Sequence, residues 1–391
     1  MTYEWNHSTI NDVCVLVTDG SHSSPKSVND GKYMVSVKDF TDYGFDFASC
    51  RMISNDDYET LKRNGCVPQI DDILIGKDGA RFFEDIIIYR QREKPALLSS
   101  IAILRCDKSK ILPDFLYYVL RTPSFRQDVK DNYGSGSAIP RIILKDFKRM
   151  MVSYPSLEKQ QAIISVLTAI DSKIQANTEI NDNLQQQAMA LYAEMFLNSS
   201  DNNVTSGTLS DIAAITMGQS PSGSSYNEDG VGEVFYQGRA EFGFRFPKRR
   251  LFTTEPKRMA ETGDVLLSVR APVGDLNVAY ERCCIGRGLG AIHSKTGHSS
   301  FVLYTMFALR SQLDVFNGEG TVFGSINRDA LNAIPIDIPP VTEIDQFEAV
   351  AHPIDELIRA NYEENCRLEA IRDSLLPKLM SGEIDVSAVN L

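Results

Sequence analysis

The segment that decides the fold is PSLEKQQAIISVLTAIDSKIQANTEINDNLQQQAMALYAEMF, residues 155–196. Within it, ten residues recur at alternating spacings of four and three, which is the seam of a helix that pairs with another helix. They are Ile163, Leu167, Ile170, Ile174, Asn177, Asn181, Leu184, Ala188, Leu191 and Met195. At ~1.5 Å per residue such a helix is roughly 60 Å long, so the sequence predicts a rod that needs a helical partner.

A partner for this rod lies in the same chain, 184 residues further on. At that offset Val166, Ile170, Asp171, Ile174, Asn177, Glu179, Asn181 and Leu184 coincide with the identical residues Val350, Ile354, Asp355, Ile358, Asn361, Glu363, Asn365 and Leu368. Asparagine in an apolar seam destabilises the pair unless it meets another polar group, so it fixes the register. The predicted seam is Ile163, Leu167, Ile170, Ile174, Asn177, Asn181 and Leu184 with Ile354, Ile358, Asn361, Asn365 and Leu368. The asparagines lie near the middle of both helices and would coincide in a parallel or an antiparallel pair.

The rods divide the chain into globular and helical segments. Short apolar runs at Asp72–Gly76, Asp85–Tyr89 and Ser100–Leu104 predict strands, and Pro113–Arg121 predicts a short helix. The predicted segments are a globular domain at 1–154, a helix at 155–198, a polar linker at 199–207, a second globular domain at 208–338, a second helix at 339–382 and a tail at 383–391. At the same offset of 184, Gly134, Gly136 and Ile142 match Gly318, Gly320 and Ile326. The predicted fold class is therefore α+β, built from a duplicated unit of one globular domain and one helix.

Composition places the chain among ordinary globular proteins, with 391 residues, 43% apolar and 24% charged. It contains no apolar run long enough to span a membrane, and its first residues lack the features of an export signal. The seven cysteines show no C-x-x-C pair, so we interpret them as free thiols in a reducing cytoplasm.

The charge of the chain is segregated by segment. The net charge of −12 disfavours a nucleic-acid partner, and residues 341–391 alone hold eleven acidic against four basic residues. Residues 237–258, QGRAEFGFRFPKRRLFTTEPKR, instead hold seven basic residues against two acidic ones. Because arginines alternate there with phenylalanines, a hairpin could bury the rings and present the guanidinium groups to DNA. A solvated strand face without a ligand is the alternative.

Sequence motifs for catalysis are missing. Gly286–Gly290 is glycine-rich, but it lacks the strand-turn-helix context and the acidic residue of a dinucleotide site. The chain has no G-x-x-x-x-G-K-[ST] loop and no H-E-x-x-H, and its five histidines show no metal-ligand spacing. We therefore predict no catalytic residues and no metal site.

Several motifs, in order across both repeats, resemble the specificity subunits of Type I restriction-modification systems. In the first domain these are DGSHSSP (19–25) and DILIGKDGA (72–80), and in the second they are GQSPS (218–222), GDVLLSVRAPVG (263–274) and CIGRGLG (284–290). Both rods and the ending LLPKLMSGEI (375–384) are also similar to the family pattern. The resemblance covers nearly the whole chain.

The resemblance implies a fold with two target-recognition domains, related by a pseudo-two-fold axis and separated by helices that pair as an antiparallel coiled coil. It implies double-stranded DNA as ligand, with each domain binding half of a bipartite asymmetric site. It also implies that the chain itself is not an enzyme and holds no cofactor. Methylation subunits would use S-adenosylmethionine to modify adenine, and a restriction subunit would use ATP and magnesium to cleave DNA.

The candidate DNA-binding residues come from the basic segment and from the family-like motifs. They are His22, Lys77 and Arg81 in the first domain, and Gln219, Ser220, Arg239, Arg245, Lys248, Arg249, Arg250, Arg270 and Arg287 in the second. The first domain has no counterpart of the S-V-R-A-P-V-G sequence, so the role of Arg270 would fall there to Lys77.

Two other classes of function stay open. A coiled-coil scaffold that does not bind DNA would use rods and globular domains to gather partners. A self-contained DNA methyltransferase or nuclease would need motifs that the residues do not display. Reversing the charge of Arg239, Arg245 and Arg249 tests the first of these, and assaying the purified chain alone tests the second.

Overall fold

The computed structural model describes residues 5–134, 140–198, 204–270, 272–317 and 324–386. The chain divides into two compact units, of which unit 1 comprises Met1–Gln175 with Asn365–Leu391 and unit 2 comprises Ala176–Glu364. Several predicted features lie outside the described residues: Gly136, Gly318 and Gly320 of the repeat, the linker residues 199–203 and the tail residues 387–391. No helix in the described parts has the length and apolarity that crossing a lipid bilayer requires.

Unit 1 begins with a mixed α/β domain. Its strands are β1 (Asn6–Thr9), β2 (Cys14–Asp19), β3 (Lys32–Val35), β4 (Phe40–Thr41), β5 (Gly44–Phe45), β6 (Arg51–Ile53), β7 (Ile73–Gly76), β8 (Ile86–Ile88), β9 (Ala96–Leu97), β10 (Ile101–Cys106) and β11 (Met151–Tyr154). Its short helices are α1 (Ile10–Val13), α2 (Asn55–Arg63), α3 (Pro113–Arg121), α4 (Pro123–Asn132) and α5 (Leu144–Arg149). The strand order β2-β10-β7-β8 forms the main antiparallel sheet. Its core includes Phe115 and Phe147, both fully buried.

A long helix follows, α6 (Leu157–Tyr192), which closes with a π-helical turn at Ala193–Leu197. The second domain then holds the strands β12 (Thr205–Thr208), β13 (Ala213–Met217), β14 (Tyr226–Asn227), β15 (Glu233–Tyr236), β16 (Leu251–Thr253), β17 (Met259–Ala260), β18 (Val265–Val269), β19 (Val273–Val278), β20 (Cys283–Ile285), β21 (Leu289–Ser294) and β22 (Pro335–Ile338). Its helices are α7 (Leu209–Ile212), α8 (Ser299–Ala308), α9 (Arg310–Asp314) and α10 (Arg328–Asn332), and the second long helix is α11 (Val341–Ser381). Strand β12 occupies the end of the segment that was predicted as a linker.

The two units share one topology, which confirms the predicted internal repeat. The main sheet of unit 2 has the order β13-β21-β18-β19, which matches β2-β10-β7-β8 strand for strand. A parallel pair joins β15 to β20 in unit 2 and β3 to β9 in unit 1, and each of β15 and β3 also carries one antiparallel neighbour. The duplicated unit therefore has the same frame in both copies.

The long helices pair antiparallel in both units. In unit 2, Asn361 Nδ2 donates to Asn181 Oδ1 at 2.8 Å, and Asn177 Nδ2 donates to a Glu364 carboxylate oxygen at 2.7 Å. In unit 1, Arg372 Nη1 lies 3.0 Å from Asp171 Oδ1. As the residue number rises along α6 it falls along α11, so the direction that the asparagines left open is antiparallel.

The predicted seam residues are all buried or half-buried in the structure. Those that are buried are Ile163, Leu167, Ile174, Asn177, Asn181 and Ile358, and those that are half-buried are Ile170, Leu184, Ile354, Asn361, Asn365 and Leu368. The asparagines satisfy their amides across the pair: Asn181 Nδ2 also reaches the Ile358 carbonyl at 3.3 Å, and Asn365 Nδ2 reaches the Ile174 carbonyl at 3.4 Å. The polar groups buried in the seam are therefore hydrogen-bonded. Because these bonds form only in one alignment of the two helices, the asparagines can fix the register of the pair.

Candidate nucleic-acid interface

Three loops of unit 2 cross at one end of its main sheet, where β18 also ends, and we call this region the unit 2 loop cluster (218–220, 237–238, 270 and 286–288). Gly218 N donates to Leu289 O at 2.9 Å and Gly286 N donates to Tyr236 O at 2.8 Å. A Cβ added to Gly218 would lie 2.1 Å from Gly286 O, and one added to Gly286 would lie 2.8 Å from Gln237 Cα. Gly218 and Gly286 therefore serve close backbone crossings that leave no room for a side chain.

Polar and basic side chains emerge from the unit 2 loop cluster. Gln219, Arg270 and Arg287 are exposed, and Ser220 Oγ accepts a hydrogen bond from Arg287 N at 3.2 Å. Arg270 follows β18 and forms a β-bridge with Ser325. Among the described residues, neither Arg270 nor Arg287 has a carboxylate within ion-pair distance. Two guanidinium groups without an internal counter-ion suit phosphate oxygens or guanine edges.

The basic segment does not form the predicted hairpin. It begins with a 3-10 turn at Arg239–Glu241, and only Leu251–Thr253 is a strand. Between them the main chain is irregular: Lys248 N donates to Glu241 O at 2.8 Å. The alternation of aromatic and basic residues could sort them onto two faces only in an extended chain. The prediction is therefore wrong here, and Phe244 is 44% exposed while Arg245 is 4% exposed.

Most arginines of the basic segment are paired with carboxylates. Arg239 pairs with Asp275, Arg249 Nη2 lies 2.8 Å from Glu281 Oε2, and Arg250 Nε lies 3.0 Å from Glu241 Oε1. The hydrogen bond to Glu281 raises the pKa of Arg249, and that to Glu241 raises the pKa of Arg250. Lys248 is exposed. A phosphate that contacts these arginines therefore competes with the carboxylates that already neutralise them.

A side-chain amide holds this irregular loop by its backbone. Gly243 N donates to Asn277 Oδ1 at 3.1 Å, and Asn277 Nδ2 donates to Gly243 O at 2.9 Å. The corresponding loop of unit 1 is held in the same way, because Phe45 N donates to Gln91 Oε1 at 2.8 Å and Gln91 Nε2 donates to Phe45 O at 2.9 Å. We call these contacts the amide clamps. Each clamp satisfies one donor and one acceptor of the loop backbone.

Unit 1 has an equivalent loop cluster (20–22 and 97–100). Gly20 N donates to Ile101 O at 3.1 Å, and Ser21 N donates to Leu97 O at 2.7 Å. A Cβ on Gly20 would lie 2.3 Å from Leu97 O, so the same kind of crossing again requires glycine. His22 is exposed there, with Nε2 at 3.2 Å from Asp19 Oδ1.

The other two candidates of unit 1 differ in accessibility. Lys77 is buried, with Nζ at 3.3 Å from Asp19 Oδ2 and 3.7 Å from Asp78 Oδ1, so the prediction that it substitutes for Arg270 on the surface is wrong. Arg81 is exposed and forms an ion pair with Asp85 at 2.7 Å. The main chain of Lys77 is held between two neighbouring segments, because Lys77 N donates to Ser100 O and Lys77 O accepts from Ile142 N, both at 2.9 Å.

Sequence reasoning missed a buried polar contact that attaches each globular domain to its long helices. In unit 2, Asp355 Oδ1 accepts hydrogen bonds from Arg245 Nη1 at 2.7 Å and from Tyr304 Oη at 2.9 Å. In unit 1, Asp171 accepts from Tyr118 Oη at 2.7 Å. We call these contacts the carboxylate nodes. Burial raises the pKa of both tyrosines, so each phenol stays protonated and donates.

The nodes differ in the origin of their arginine. Arg372 of α11 supplies it in unit 1, whereas Arg245 of the basic segment supplies it in unit 2. The aspartates are one of the identical pairs at the offset of 184, although they lie beside the seam rather than in it. That identity was the signal that could have revealed the nodes.

No group of three or more histidine, cysteine, aspartate or glutamate side chains within the described ranges could hold a metal ion. The arrangement that the structure does offer is a pair of loop clusters with exposed polar and basic side chains. Such surfaces can contact phosphates and base edges.

Comparison with known proteins identifies the family. The model of the family described as Type I restriction modification DNA specificity domain matches residues 3–186 and 202–363. The putative type I restriction enzyme MjaX specificity subunit of Methanocaldococcus jannaschii is 27% identical over 407 residues, covering 98% of this chain and 94% of the relative. The MjaIX specificity subunit of the same organism is 23% identical over 310 residues, covering 71% of each protein.

A solved structure shares the fold. The crystal structure of the S subunit of a Type I restriction-modification system from M. genitalium is 16% identical, covers 96% of each chain and gives a TM-score of 0.56. The family model spans both repeats in two blocks, which confirms the resemblance seen in the motifs. The chain therefore belongs to the Type I restriction-modification DNA specificity family and is a specificity subunit, which recognises DNA rather than catalysing a reaction.

Proposed function

We propose that this specificity subunit recognises a bipartite, asymmetric DNA site, with each unit reading one half-site through its loop cluster. The observation that carries the proposal is the repetition of one loop crossing at the end of one sheet topology with different side chains at each copy. Unit 2 presents Gln219, Arg270 and Arg287, where unit 1 presents His22 and Ser21 is buried. Unlike surfaces on a common frame are expected to select unlike half-sites.

Within unit 2 the contacts fall into two groups. Arg270 and Arg287 contact DNA directly from the loop cluster, beside Gln219 and Ser220. Arg239, Arg249 and Arg250 contact DNA by exchanging their carboxylate partners for phosphates. The exposed Lys248 adds a phosphate contact. Arg245 does not touch DNA, since it is buried in the carboxylate node.

The long helices set the gap between the half-sites in this proposal. Helix α6 runs unbroken over 36 residues and α11 over 41, and each has residues in both units. Helices satisfy their own backbone hydrogen bonds and bend little, so their length is a fixed quantity.

The chemistry belongs to partner subunits. The subunit directs methylation subunits, which use S-adenosylmethionine to modify adenine, and a restriction subunit, which uses ATP and magnesium to cleave DNA. All seven cysteines are free thiols, which agrees with action in the reducing cytoplasm.

Footprinting of the chain assembled with its methylation subunits tests the proposal. We expect two short protected segments of different sequence, separated by unprotected base pairs, and an affinity that falls steeply with salt as phosphate contacts are lost. A single continuous site, or no sequence preference, would contradict the proposal. The purified chain alone serves as control and should neither transfer a methyl group nor cut DNA.

Lengthening both helices should widen the gap without changing the half-sites. Insertion of seven residues into each helix preserves the seam and adds roughly 10 Å, or about three base pairs. Sequencing of methylated sites would show the same two half-sites at the larger spacing. The same insertion in α11 alone is the control, because it breaks the register of Asn181 with Asn361 and should abolish assembly. An unchanged spacing in the double insertion would contradict the proposal that the long helices set the gap between the half-sites.

A further inference from the structure

Main-chain hydrogen bonds align the two loop clusters residue by residue. Val269 N donates to Gly288 O at 2.9 Å in unit 2, and Lys77 N donates to Ser100 O at 2.9 Å in unit 1. The same two residues accept the next bond, since Ile326 N donates to Val269 O at 3.1 Å and Ile142 N donates to Lys77 O at 2.9 Å. Lys77 therefore corresponds to Val269, which is buried in the core of unit 2.

One residue further along each strand, the side chains differ in charge. Arg270 of unit 2 forms a β-bridge with Ser325, and the corresponding bridge of unit 1 joins Asp78 to Arg141. An acidic residue thus replaces Arg270, and an arginine replaces the serine opposite it. The arginine therefore lies on one side of the bridge in unit 2 and on the opposite side in unit 1.

Although Arg141 and Arg270 lie on opposite sides of equivalent bridges, both side chains project from the same surface of their units. Residues that face each other across an antiparallel bridge project to the same side, with Cβ atoms roughly 5 Å apart. Arg141 is exposed. The equivalent of Arg287 in unit 1 is Ser99, which follows from the bonds of Ser21 N to Leu97 O at 2.7 Å and Gln219 N to Ile285 O at 3.0 Å. Because Lys77 is buried, Arg141 is the arginine that the fold places at this position of unit 1.

We propose that Arg141 contacts the DNA of the first half-site, in the position that Arg270 takes toward the second. The inference rests on the proposed function and adds a residue that no motif in the first domain indicates. The guanidinium supplies the cation that a phosphate or a guanine edge requires. Asp78 beside it weakens the attraction for phosphate and leaves unit 1 with a different surface from unit 2.

Affinity measurements on the complex with methylation subunits test this assignment. Arg141→Ala should lower the affinity for cognate DNA about tenfold or more. On DNA whose first half-site is scrambled, the substitution should have no effect if Arg141 contacts a base, and should weaken binding to a similar extent if it contacts a phosphate. Arg141→Lys should retain most of the binding if the contact is a phosphate, and should lose it if the contact is a guanine edge. Arg63→Ala, on an exposed arginine of α2, is the matched control and should leave the affinity unchanged.

A variant that moves the arginine from residue 141 to residue 78 distinguishes a lost DNA contact from a folding defect. The double variant Asp78→Arg with Arg141→Ser copies the arrangement of Arg270 and Ser325 and should recover the affinity that Arg141→Ala loses. Binding by Arg141→Ala within twofold of the original chain would overturn the inference. If Arg270→Ala weakens binding while Arg141→Ala does not, the inference fails and the proposed function stands. If the unaltered complex binds no split site, both fail.

Discussion

Replacing Asp355 with alanine should destabilise unit 2 by about 3–5 kcal/mol, because it leaves the guanidinium of Arg245 buried without its carboxylate. Arg245 is 4% exposed, and its remaining contacts are Gln185 Oε1 at 3.0 Å and Tyr304 Oη at 3.3 Å. Neither contact carries a negative charge. A chain with two units need not unfold in one step, so hydrogen exchange of the β18 amides, with β7 of unit 1 as internal reference, is the measurement.

The control for Asp355→Ala is Asp345→Ala on the same helix. Asp345 is 61% exposed and lies 2.8 Å from His298, so its removal should change the free energy of unfolding by at most about 1 kcal/mol. The double variant Arg245→Met with Asp355→Leu should recover most of the lost stability, since no unpaired charge then remains buried. A loss below about 1 kcal/mol in Asp355→Ala would show that the node does not attach the basic segment to α11.

Replacing Gly218 with alanine should abolish recognition of the second half-site. The added Cβ would lie 2.1 Å from Gly286 O and 2.8 Å from Ile285 O, and both atoms are backbone that cannot rotate away. The loops must separate, which displaces Gln219 and Arg287 and destabilises unit 2 by about 1–3 kcal/mol. We expect the affinity for cognate DNA to fall tenfold or more, measured by titration of the complex with methylation subunits.

Gly223→Ala is the matched control for this substitution, because a Cβ at Gly223 would meet no atom within 4 Å. It should bind DNA as the original chain does. Gly20→Ala, where the Cβ would lie 2.3 Å from Leu97 O, should impair the first half-site instead. Full affinity in Gly218→Ala would mean that the unit 2 loop cluster does not read DNA.

The periodic parts of the sequence predicted the fold well. The seam predicted both long helices, and the predicted helix Pro113–Arg121 has the observed bounds. Short apolar runs likewise predicted β7, β8 and the start of β10. These features succeed because the helix and strand periods are local properties of the chain.

The site was harder to predict, because its contacts join distant parts of the chain. Arg245 is buried by Asp355, which lies 110 residues away, and nothing local to the basic segment indicates that pairing. Lys77 was assigned as the basic residue of the first-domain motif, but the main-chain register places it at the position of Val269, one residue before that of Arg270. Side chains alternate along a strand, so a shift of one residue exchanges an exposed position for a buried one.

The amide clamps bear on how such a protein acquires new targets. Asn277 and Gln91 bond only to main-chain atoms, and every amino acid except proline offers the same N–H and C=O groups. Apart from Gly243 and Gly44, where a Cβ would lie 2.6 Å from Phe246 O and from the Gln91 side chain, residues of the held loops can therefore be substituted while the anchorage persists. Diversification of DNA preference then proceeds by exchanging loop residues on a retained scaffold, without inventing a new domain.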